Sequence, residues 1–352
     1  MEELKEVSIA KHRILSNYFP TWATILGQHP NLVYVDCFAG AGKYNENEPG
    51  SPLIIFKLGR DLINTKKVKN LLLIFIEKNK KNAELLQRIL DATANSKEGI
   101  DYYVYSEDAE NITDKLLDAI PTNWPAFFFI DPYGHPLSFP TIRKILEHPR
   151  REVFLNLMWF SINRDLNNPK EKEPLNKMFG HSSWQNQSFI TEKGDVRENY
   201  FLKYVESEIG ARFPIHFKII FGPDDKVKGY NRTKYYLIHF SNHEKAALTM
   251  KQIMHKLGDE EGTFDYSASR QEVLFTRTPQ ISQLKEYLVS NYCGKGIRIS
   301  FLQLQIDTIS DLPFIEKHYR AAIKEMEGKE LEIERIESKK TGIKNKDIII
   351  FK

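Results

Sequence analysis

The 352-residue chain is long enough for two domains, or for one domain with insertions. Its 41% apolar and 28% charged residues are ordinary for a soluble globular protein, and a net charge of +3 does not separate a nucleic-acid binder from a metabolic enzyme. Two cysteines, Cys37 and Cys293, exclude a disulfide scaffold and a cysteine-rich metal site, and no metal site is predicted. No apolar stretch reaches the roughly 18 residues that span a membrane, so we expect a cytoplasmic protein without a membrane anchor.

The first 160 residues alternate between helical and strand-like segments. Helical spacing of apolar residues predicts a first helix over residues 8–27. Apolar runs then predict five strands, at 32–38, 71–77, 102–106, 126–132 and 152–159. Amphipathic segments lie between them, at 52–65, 79–93, 110–119 and 138–148. Continuous apolar runs are typical of strands buried on both faces, and their alternation with helices predicts an α/β fold with a parallel, doubly wound, Rossmann-like sheet.

The rest of the chain departs from this alternation. Residues 161–215 are polar and rich in Asn and Lys, which indicates a mostly helical insertion. Two apolar runs, 216–222 and 233–241, then predict a hairpin, and an amphipathic helix follows it. A Gly-, Asp- and Ser-rich stretch near 260–269 indicates a linker. Three helices and a terminal hairpin then predict a winged helix, giving domains at 1–260 and 268–352.

The segment VYVDCFAGAGKYNENEPGSP, residues 33–52, carries the candidate cofactor turn. A strand that ends in Asp36 and leads into Gly-Ala-Gly either makes a plain tight turn or opens a nucleotide-binding crevice. The polar loop runs on to Gly50, and only then do Ser51 and Pro52 offer an N-cap and a first helical residue. This spacing favours a cofactor without a pyrophosphate, and S-adenosylmethionine (SAM) fits. We predict that Asp36 meets its amino group, with these further cofactor-binding residues: Phe38, Ala39, Gly40 and Gly42.

Two later acids follow predicted strands where SAM requires polar partners. Glu77 ends the second strand, where its carboxylate either accepts both ribose hydroxyls or is simply solvated. Asp108 follows the third strand and is predicted to contact the adenine amino group. There are two alternatives: Glu107 contacts the adenine amino group instead, or Asp108 caps a helix.

The fourth strand ends in FFFIDPYGHP, which delivers Asp131 to the carboxyl edge of the sheet. The exocyclic amine of a base is a poor nucleophile because its lone pair is delocalised into the ring. Asp131 and the Pro132 carbonyl can accept its two N–H groups and direct the lone pair at a methyl group, while Tyr133 stacks on the base. The alternative is a plain Asp-Pro-Tyr-Gly turn. His135 is interpreted as a solvated loop histidine and left out of the catalytic set.

Substrate contacts are predicted near the N-terminus, after the fifth strand and on the wing. Lys11 and His12 are candidates for a phosphate or the cofactor edge, and Asn163 for the substrate pocket, whereas Trp159 is expected to pack in the core. On the predicted wing, three lysines are candidate phosphate contacts, although neighbouring glutamates argue against a strongly basic face. These lysines are Lys339, Lys340 and Lys344.

Several of these motifs resemble the three-Cys-motif partner proteins (TcmP). The resemblance covers nearly the whole chain and is carried by KHRILSNYFPTWATIL, YVDCFAGAGKY, EPGSPL, FFFIDPYG and SNHEKAALTMKQIM. It implies a class I SAM-dependent methyltransferase fold, a C-terminal winged helix and a radical-SAM-like partner protein with three cysteines. More distantly, the chain is similar to ribosomal RNA adenine-N6 methyltransferases, which implies cofactor roles for Asp36, Gly40 and Glu77, and amine binding by Asp131 and Tyr133. Those enzymes carry Asp-Pro-Pro-Tyr, whereas DPYG is closer to the Asp-Pro-Phe-Gly of tRNA guanine-N2 dimethyltransferases.

Three functions compete at this point. The first is a SAM-dependent methyltransferase acting on an exocyclic amine in DNA or RNA, with adenine N6 favoured and guanine N2 as the alternative. The second is a protein that binds nucleic acid or a partner through the winged helix and keeps the methyltransferase fold as a sensor or scaffold. The third, a dinucleotide-dependent oxidoreductase, is disfavoured by the long polar loop before Ser51.

Overall fold

The computed structural model describes residues 6–44, 48–93, 99–221, 232–258, 265–267, 281–337 and 342–352. Its main feature is a sheet of eight strands, seven of which correspond to predicted apolar runs: β1 to β5 to the five alternating runs, and β6 and β7 to the predicted hairpin. The strands are β1 (Asn31–Asp36), β2 (Asn70–Ile76), β3 (Ile100–Tyr105), β4 (Ala126–Ile130), β5 (Arg151–Leu157), β6 (Phe213–Ile220), β7 (Thr233–Ser241) and β8 (Asp265–Ser267).

The sheet order is β3-β2-β1-β4-β5-β7-β6-β8. Strands β1 to β5 run parallel, whereas β7 is antiparallel to both β5 and β6. This order, with one reversed strand near the end, is the class I methyltransferase form of the doubly wound sheet, and it confirms the predicted fold class. Strand β1 pairs with β2 on one side and β4 on the other, so the chain changes direction there. Open α/β sheets bind ligands at such a switch point, outside the carboxyl ends of the strands.

Helices cover both faces of this sheet, as continuous apolar strands require. One face packs against α1 (Glu6–Ile25), α2 (Ser51–Asn64), α3 (Lys80–Thr93) and α10 (Glu244–Leu257). The other face packs against α4 (Ala109–Ala119), α5 (Phe139–Leu146), α6 (Trp159–Asp165), α7 (Lys172–Phe179), α8 (Ser188–Thr191) and α9 (Gly194–Ile209).

The segment after β5 is mostly helical. It contains α6 to α9 and two short 3₁₀ turns, Pro169–Glu171 and Ser183–Asn186. Trp159 is buried and lies 4.8 Å, ring centre to ring centre, from Phe201. Trp159 therefore packs in the core, as expected, and the insertion shares the core of one face of the sheet.

The predicted linker near 260–269 lies largely outside the described residues. Its described portion, β8, pairs in parallel with β6 and adds a strand to the sheet. For those three residues the linker prediction is wrong, because a short stretch beside an open sheet edge can gain backbone hydrogen bonds there.

The C-terminal helices and hairpin form a second, smaller core. Its elements are α11 (Ile281–Tyr292), β9 (Arg298–Ser300), α12 (Phe301–Asp307), α13 (Glu316–Met326), β10 (Leu331–Glu334) and β11 (Ile348–Phe351). The strands form an antiparallel sheet in the order β10-β11-β9, which gives the predicted winged helix its wing. The buried carboxylate of Asp347 accepts hydrogen bonds from three backbone N–H groups across the base of that wing, those of Ile336, Glu337 and Lys344.

The two cores meet along α10. The Lys251 ammonium group is buried and donates hydrogen bonds of 2.6 Å to the carbonyls of Ile309 and Leu312, which follow α12. The rings of His255 and His318 lie 5.0 Å apart in the same interface. Among the described residues, no helix combines the length and the apolar character needed to cross a bilayer.

Candidate active site

The turn after β1 is built around the buried carboxylate of Asp36. One oxygen accepts the Ser51 hydroxyl at 2.6 Å, and the other accepts the Phe38 backbone N–H at 3.2 Å. Because burial removes water from this group, its pKa rises to about 7 despite those two hydrogen bonds. The prediction that Ser51 caps α2 is wrong by one residue: Gly50 is the N-cap, and Ser51 begins the helix. Asp36 thus fastens the start of α2 to the end of β1.

Two glycines of this turn adopt a left-handed backbone. Gly40 has φ +61° and Gly42 has φ +81°, a region that other residues enter only with strain. A Cβ on Gly40 would meet no atom within 4 Å, so the space above it is open, whereas a Cβ on Gly42 would lie 2.7 Å from Leu86. The loop then closes on itself, because the Gly50 N–H donates to the Gly42 carbonyl at 2.7 Å. The buried Ala39 and half-buried Phe38 precede this open space.

Glu77 lies beside the same turn, directly after β2. One of its carboxylate oxygens accepts the Gly40 N–H at 2.9 Å, and the other accepts the Asn79 N–H at 2.6 Å. A carboxylate has about four lone-pair positions, so Glu77 keeps acceptor capacity for further donors. Glu77 therefore joins the end of the second strand to the glycine turn.

Asp108 adopts the alternative role foreseen for it. Its side chain caps α4 by accepting the Glu110 N–H at 3.0 Å, and it forms an ion pair of 2.8 Å with Lys78. The Lys78 ammonium group and the helix cap hold the pKa of Asp108 below its usual range. Glu107, the other candidate for the adenine contact, is exposed.

Asp131 stands at the end of β4 with both oxygens engaged. Oδ2 accepts the Lys11 ammonium group at 2.5 Å, and Oδ1 accepts the Asn156 amide at 2.7 Å. Lys11 comes from α1 and Asn156 from β5, so two elements hold the carboxylate in one orientation. Strand β4 pairs with β1, whose last residue is Asp36, so both acids lie at the carboxyl ends of neighbouring strands, and the charge of Asp131 contributes to the raised pKa of Asp36.

The residues after Asp131 differ in exposure. Pro132 is buried, whereas Tyr133 is 84% exposed, as an aromatic platform for a ligand must be. The loop is anchored at its far end, where the Ser138 N–H and hydroxyl both donate to Glu110, at 2.8 and 2.6 Å. The loop from Asp131 to Ser138 is therefore fixed at both ends, with Tyr133 in between facing solvent.

The N-terminal candidates separate in role. Lys11 and His12 both lie within α1. Lys11 contacts Asp131, whereas the ring of His12 lies 5.7 Å, centre to centre, from that of Tyr44 in the loop after β1. Burial, followed by the charge of Lys11, lowers the pKa of His12 to about 4, so His12 is neutral at pH 7. It therefore offers no positive charge to a phosphate in this conformation. Asn163 is half-buried in α6, and its Oδ1 is buried without a partner in the described part of the chain.

On the wing, Lys344 is exposed, and Lys339 and Lys340 lie outside the described residues. The neighbouring glutamates each form an ion pair: Glu332 with Lys352 at 3.0 Å, Glu334 with Arg298, and Glu337 with Lys346 at 3.4 Å. The charges cancel within these three pairs, which limits the basic character of the described part of the wing, and the exposed Lys344 lies outside them.

Asn156 is the site residue that sequence reasoning missed. It is 3% exposed, and its Oδ1 is buried without a hydrogen-bond partner in the described residues, while its amide nitrogen holds Asp131. The signal was present in the sequence, since Asn156 is the single polar residue in the apolar run VFLNL of β5. A polar residue near the carboxyl end of a buried strand, next to the strand carrying Asp131, is a candidate partner for it.

Comparison with known proteins identifies the C-terminal part. Residues 257–335 match the family described as the GMT-like wHTH domain, which confirms the winged helix. A search of curated proteins found no match.

Among solved structures, LPL1258 from Legionella pneumophila is 10% identical with a TM-score of 0.40, covering 70% of this chain and 91% of that one. Trm1 from Pyrococcus horikoshii, solved with SAM, is 10% identical with a TM-score of 0.35, and the match covers 68% of this chain and 58% of Trm1. The third structure is lmo1582 from Listeria monocytogenes, described as a class I SAM-dependent methyltransferase. It is 9% identical with a TM-score of 0.33, and the match covers 65% of this chain and 60% of lmo1582. At these TM-scores the likenesses carry no argument about function.

Proposed function

We propose that the protein is a SAM-dependent methyltransferase that modifies an exocyclic amine of a nucleic-acid base. The observation that carries this proposal is the position of Asp131, which ends a buried strand beside the glycine turn and is followed by Pro132 and the exposed Tyr133. Adenine N6 is the favoured target, and guanine N2 is the alternative left open by the single proline of DPYG.

The residues around the glycine turn fit SAM. Open space lies above Gly40, where the backbone turns with φ +61°, so a ligand can approach the main chain closely. Glu77 keeps lone pairs for the two ribose hydroxyls, and Asp36 supplies negative charge for the ammonium group. Asp108, which caps α4 and pairs with Lys78, is the weakest of the proposed cofactor contacts.

Bound SAM supplies an electrophilic methyl group. The task of the protein is then to position the amine and to stabilise the positive charge that grows on its nitrogen. Lys11 and Asn156 each occupy one lone-pair position on a different oxygen of Asp131, which leaves others for an amine N–H. In this proposal the Pro132 carbonyl accepts the second N–H, and Tyr133 stacks on the base, a contact worth roughly 1–3 kcal/mol.

A nucleic-acid substrate is supported by the winged helix. Two exposed lysines, Lys317 and Lys324, stand seven residues apart on α13 and therefore on one face, with the half-buried Arg320 between them. Helices of this kind contact the major groove or the phosphates in helix-turn-helix proteins. Lys344 extends the basic surface onto the wing.

The test is methyl transfer from radiolabelled SAM to total RNA and DNA, followed by analysis of the modified nucleosides. We expect label in a base amine with the wild type, and a loss of at least a hundredfold with Asp131→Asn, which keeps the shape but not the charge. Asp101→Asn, in an exposed position of β3, is the matched control. Transfer by Asp131→Asn at the wild-type rate would refute the assigned mechanism.

A second candidate function is binding without catalysis, with the methyltransferase fold as a sensor or scaffold. The engagement of both Asp131 oxygens by protein groups and the three ion pairs of the wing favour this candidate. A protein partner, such as the radical-SAM-like protein implied by the TcmP resemblance, then becomes the ligand. Nucleic-acid binding that weakens steeply with salt would favour phosphate contacts, and salt-insensitive binding would favour a protein partner.

A further inference from the structure

We propose that His135, Asp165 and Glu171 form a binding site for a divalent transition-metal ion, with Zn²⁺ as the first choice. The three residues come from separate segments: the loop after β4, the end of α6 and the 3₁₀ turn Pro169–Glu171. Each offers one ligand atom, and the three atoms lie within 4.8 Å of one another. None of the three is exposed. This site is distinct from the residues proposed for SAM and for the target amine.

The spacing of two ligand atoms matches a shared ion. His135 Nε2 lies 3.5 Å from Asp165 Oδ2. Two ligands each about 2.1 Å from a tetrahedral zinc ion stand about 3.4 Å apart. The imidazole nitrogen is wholly buried and has no hydrogen-bond partner in the described part of the chain, although the carboxylate oxygen is near. An ion between them would satisfy both atoms, and Glu171 completes the set with a small side-chain adjustment.

The local charge also favours a cation. Asp165 and Glu171 bring two carboxylates into a region where the side chains of His135 and Asp165 are only 20% and 10% exposed. Arg164 forms an ion pair with Asp165, but it does so through Oδ1, which lies 3.0 Å from the Arg164 Nε. Oδ2 remains directed toward His135. Buried carboxylates require a compensating charge or hydrogen bonds, and a divalent ion supplies the charge.

The ligand set indicates which ion to expect. Imidazole nitrogen suits zinc, iron, copper and nickel, whereas carboxylates alone favour magnesium, calcium and manganese. Zinc binds both imidazole nitrogen and carboxylate oxygen, and the number of ligands matches the zinc sites in which three protein ligands leave a fourth position for water. The ion would tie the loop that carries Tyr133 to the insertion and so fix the loop's position. Methyl transfer itself requires no metal, and the inference does not depend on the proposed function.

The test is metal binding by full-length protein stripped with a chelator, without SAM or nucleic acid. Calorimetric titration with ZnCl₂ should show one tight site in the wild type, weakened at least tenfold in both His135→Gln and Glu171→Gln. Glu173→Gln, an exposed neighbour on α7, should bind as the wild type does. Substitution with Co²⁺ should give visible absorption bands that both ligand variants lose.

Two results would overturn the proposal. One is the absence of zinc binding by wild-type protein that circular dichroism shows to be folded. The other is equal zinc affinity in the wild type, His135→Gln and Glu171→Gln, which would mean that the ion binds elsewhere. Should His135→Gln fail to fold, the comparison between Glu171→Gln and Glu173→Gln decides alone.

Discussion

Binding of SAM should be coupled to the ionisation of Asp36. Its carboxylate is wholly buried, and burial raises its pKa to about 7, so about half of the molecules carry it protonated at neutral pH. The proposed contact between Asp36 and the cofactor's ammonium group requires the charged form. Binding should therefore release a proton and become tighter as the pH rises.

The size of the effect follows from the pKa. With a pKa of about 7, the ionised fraction grows from about one tenth at pH 6 to about nine tenths at pH 8, a tenfold gain in affinity worth about 1.4 kcal/mol. In Asp36→Asn the amide oxygen still accepts a hydrogen bond from Ser51, so the turn should fold, but the titrating group is gone.

The assay is calorimetric titration with SAM at pH 6, 7 and 8, for the wild type and Asp36→Asn. The ligand's own amine also titrates, and the comparison with the variant cancels that contribution. At pH 7, titrations in buffers of different ionisation enthalpy should show release of about half a proton per SAM in the wild type, beyond any release in the variant. Equal pH dependence in the two proteins would refute the assignment of Asp36 to the ammonium group.

Three further predictions test other parts of the structure. Asn156→Leu removes the amide that holds Asp131, so methyl transfer should fall roughly 10- to 100-fold, measured at saturating SAM, with SAM affinity unchanged. Gly42→Ala should lower the free energy of unfolding by at least 1–2 kcal/mol in urea denaturation, because φ is +81° and the new Cβ would lie 2.7 Å from Leu86. Burial lowers the pKa of Lys251 to about 7, so the unfolded chain binds more protons above pH 7. The wild type should therefore gain roughly 2 kcal/mol of stability relative to Lys251→Met between pH 7 and pH 9.

Each of these has a result that contradicts it. Wild-type methyl transfer by Asn156→Leu would mean that Asp131 needs no support from β5. A Gly42→Ala protein as stable as the wild type would mean that the turn relaxes without cost. Parallel pH–stability curves for the wild type and Lys251→Met would mean that the buried ammonium group keeps its ordinary pKa through its two carbonyl contacts.

The sheet and its helices could be predicted from the sequence because their signals are local. Strand β4 is a run of five buried residues, and α10 has one apolar face, so the structure of each can be predicted from a short stretch of sequence. The turn after Asp36 and the turn after Asp131 were likewise found from adjacent residues. The alternation of strands and helices also predicted a parallel sheet, but it gave no strand order.

The contacts within the site could not be predicted in the same way. Lys11 meets Asp131 across 120 positions of sequence, and Asn156 meets it only because β4 and β5 pair in one register. Asp108 illustrates the other limit: an acid after a strand suits a ligand contact and a helix cap equally well, and the chain uses it as a cap. The contact between His135 and Asp165 depends on how the insertion packs against the loop after β4, and no local sequence pattern predicts that packing.

The most direct test of the account is whether the crevice after β1 and β2 holds SAM. Equilibrium titration of the wild type should show one SAM per chain, with affinity reduced at least tenfold in Glu77→Gln, because a neutral amide pairs less well with two hydroxyl donors. Asp101→Asn, in an exposed position of β3, is the matched control and should bind like the wild type. Folded wild-type protein that binds no SAM, or Glu77→Gln that binds it unchanged, would contradict the account.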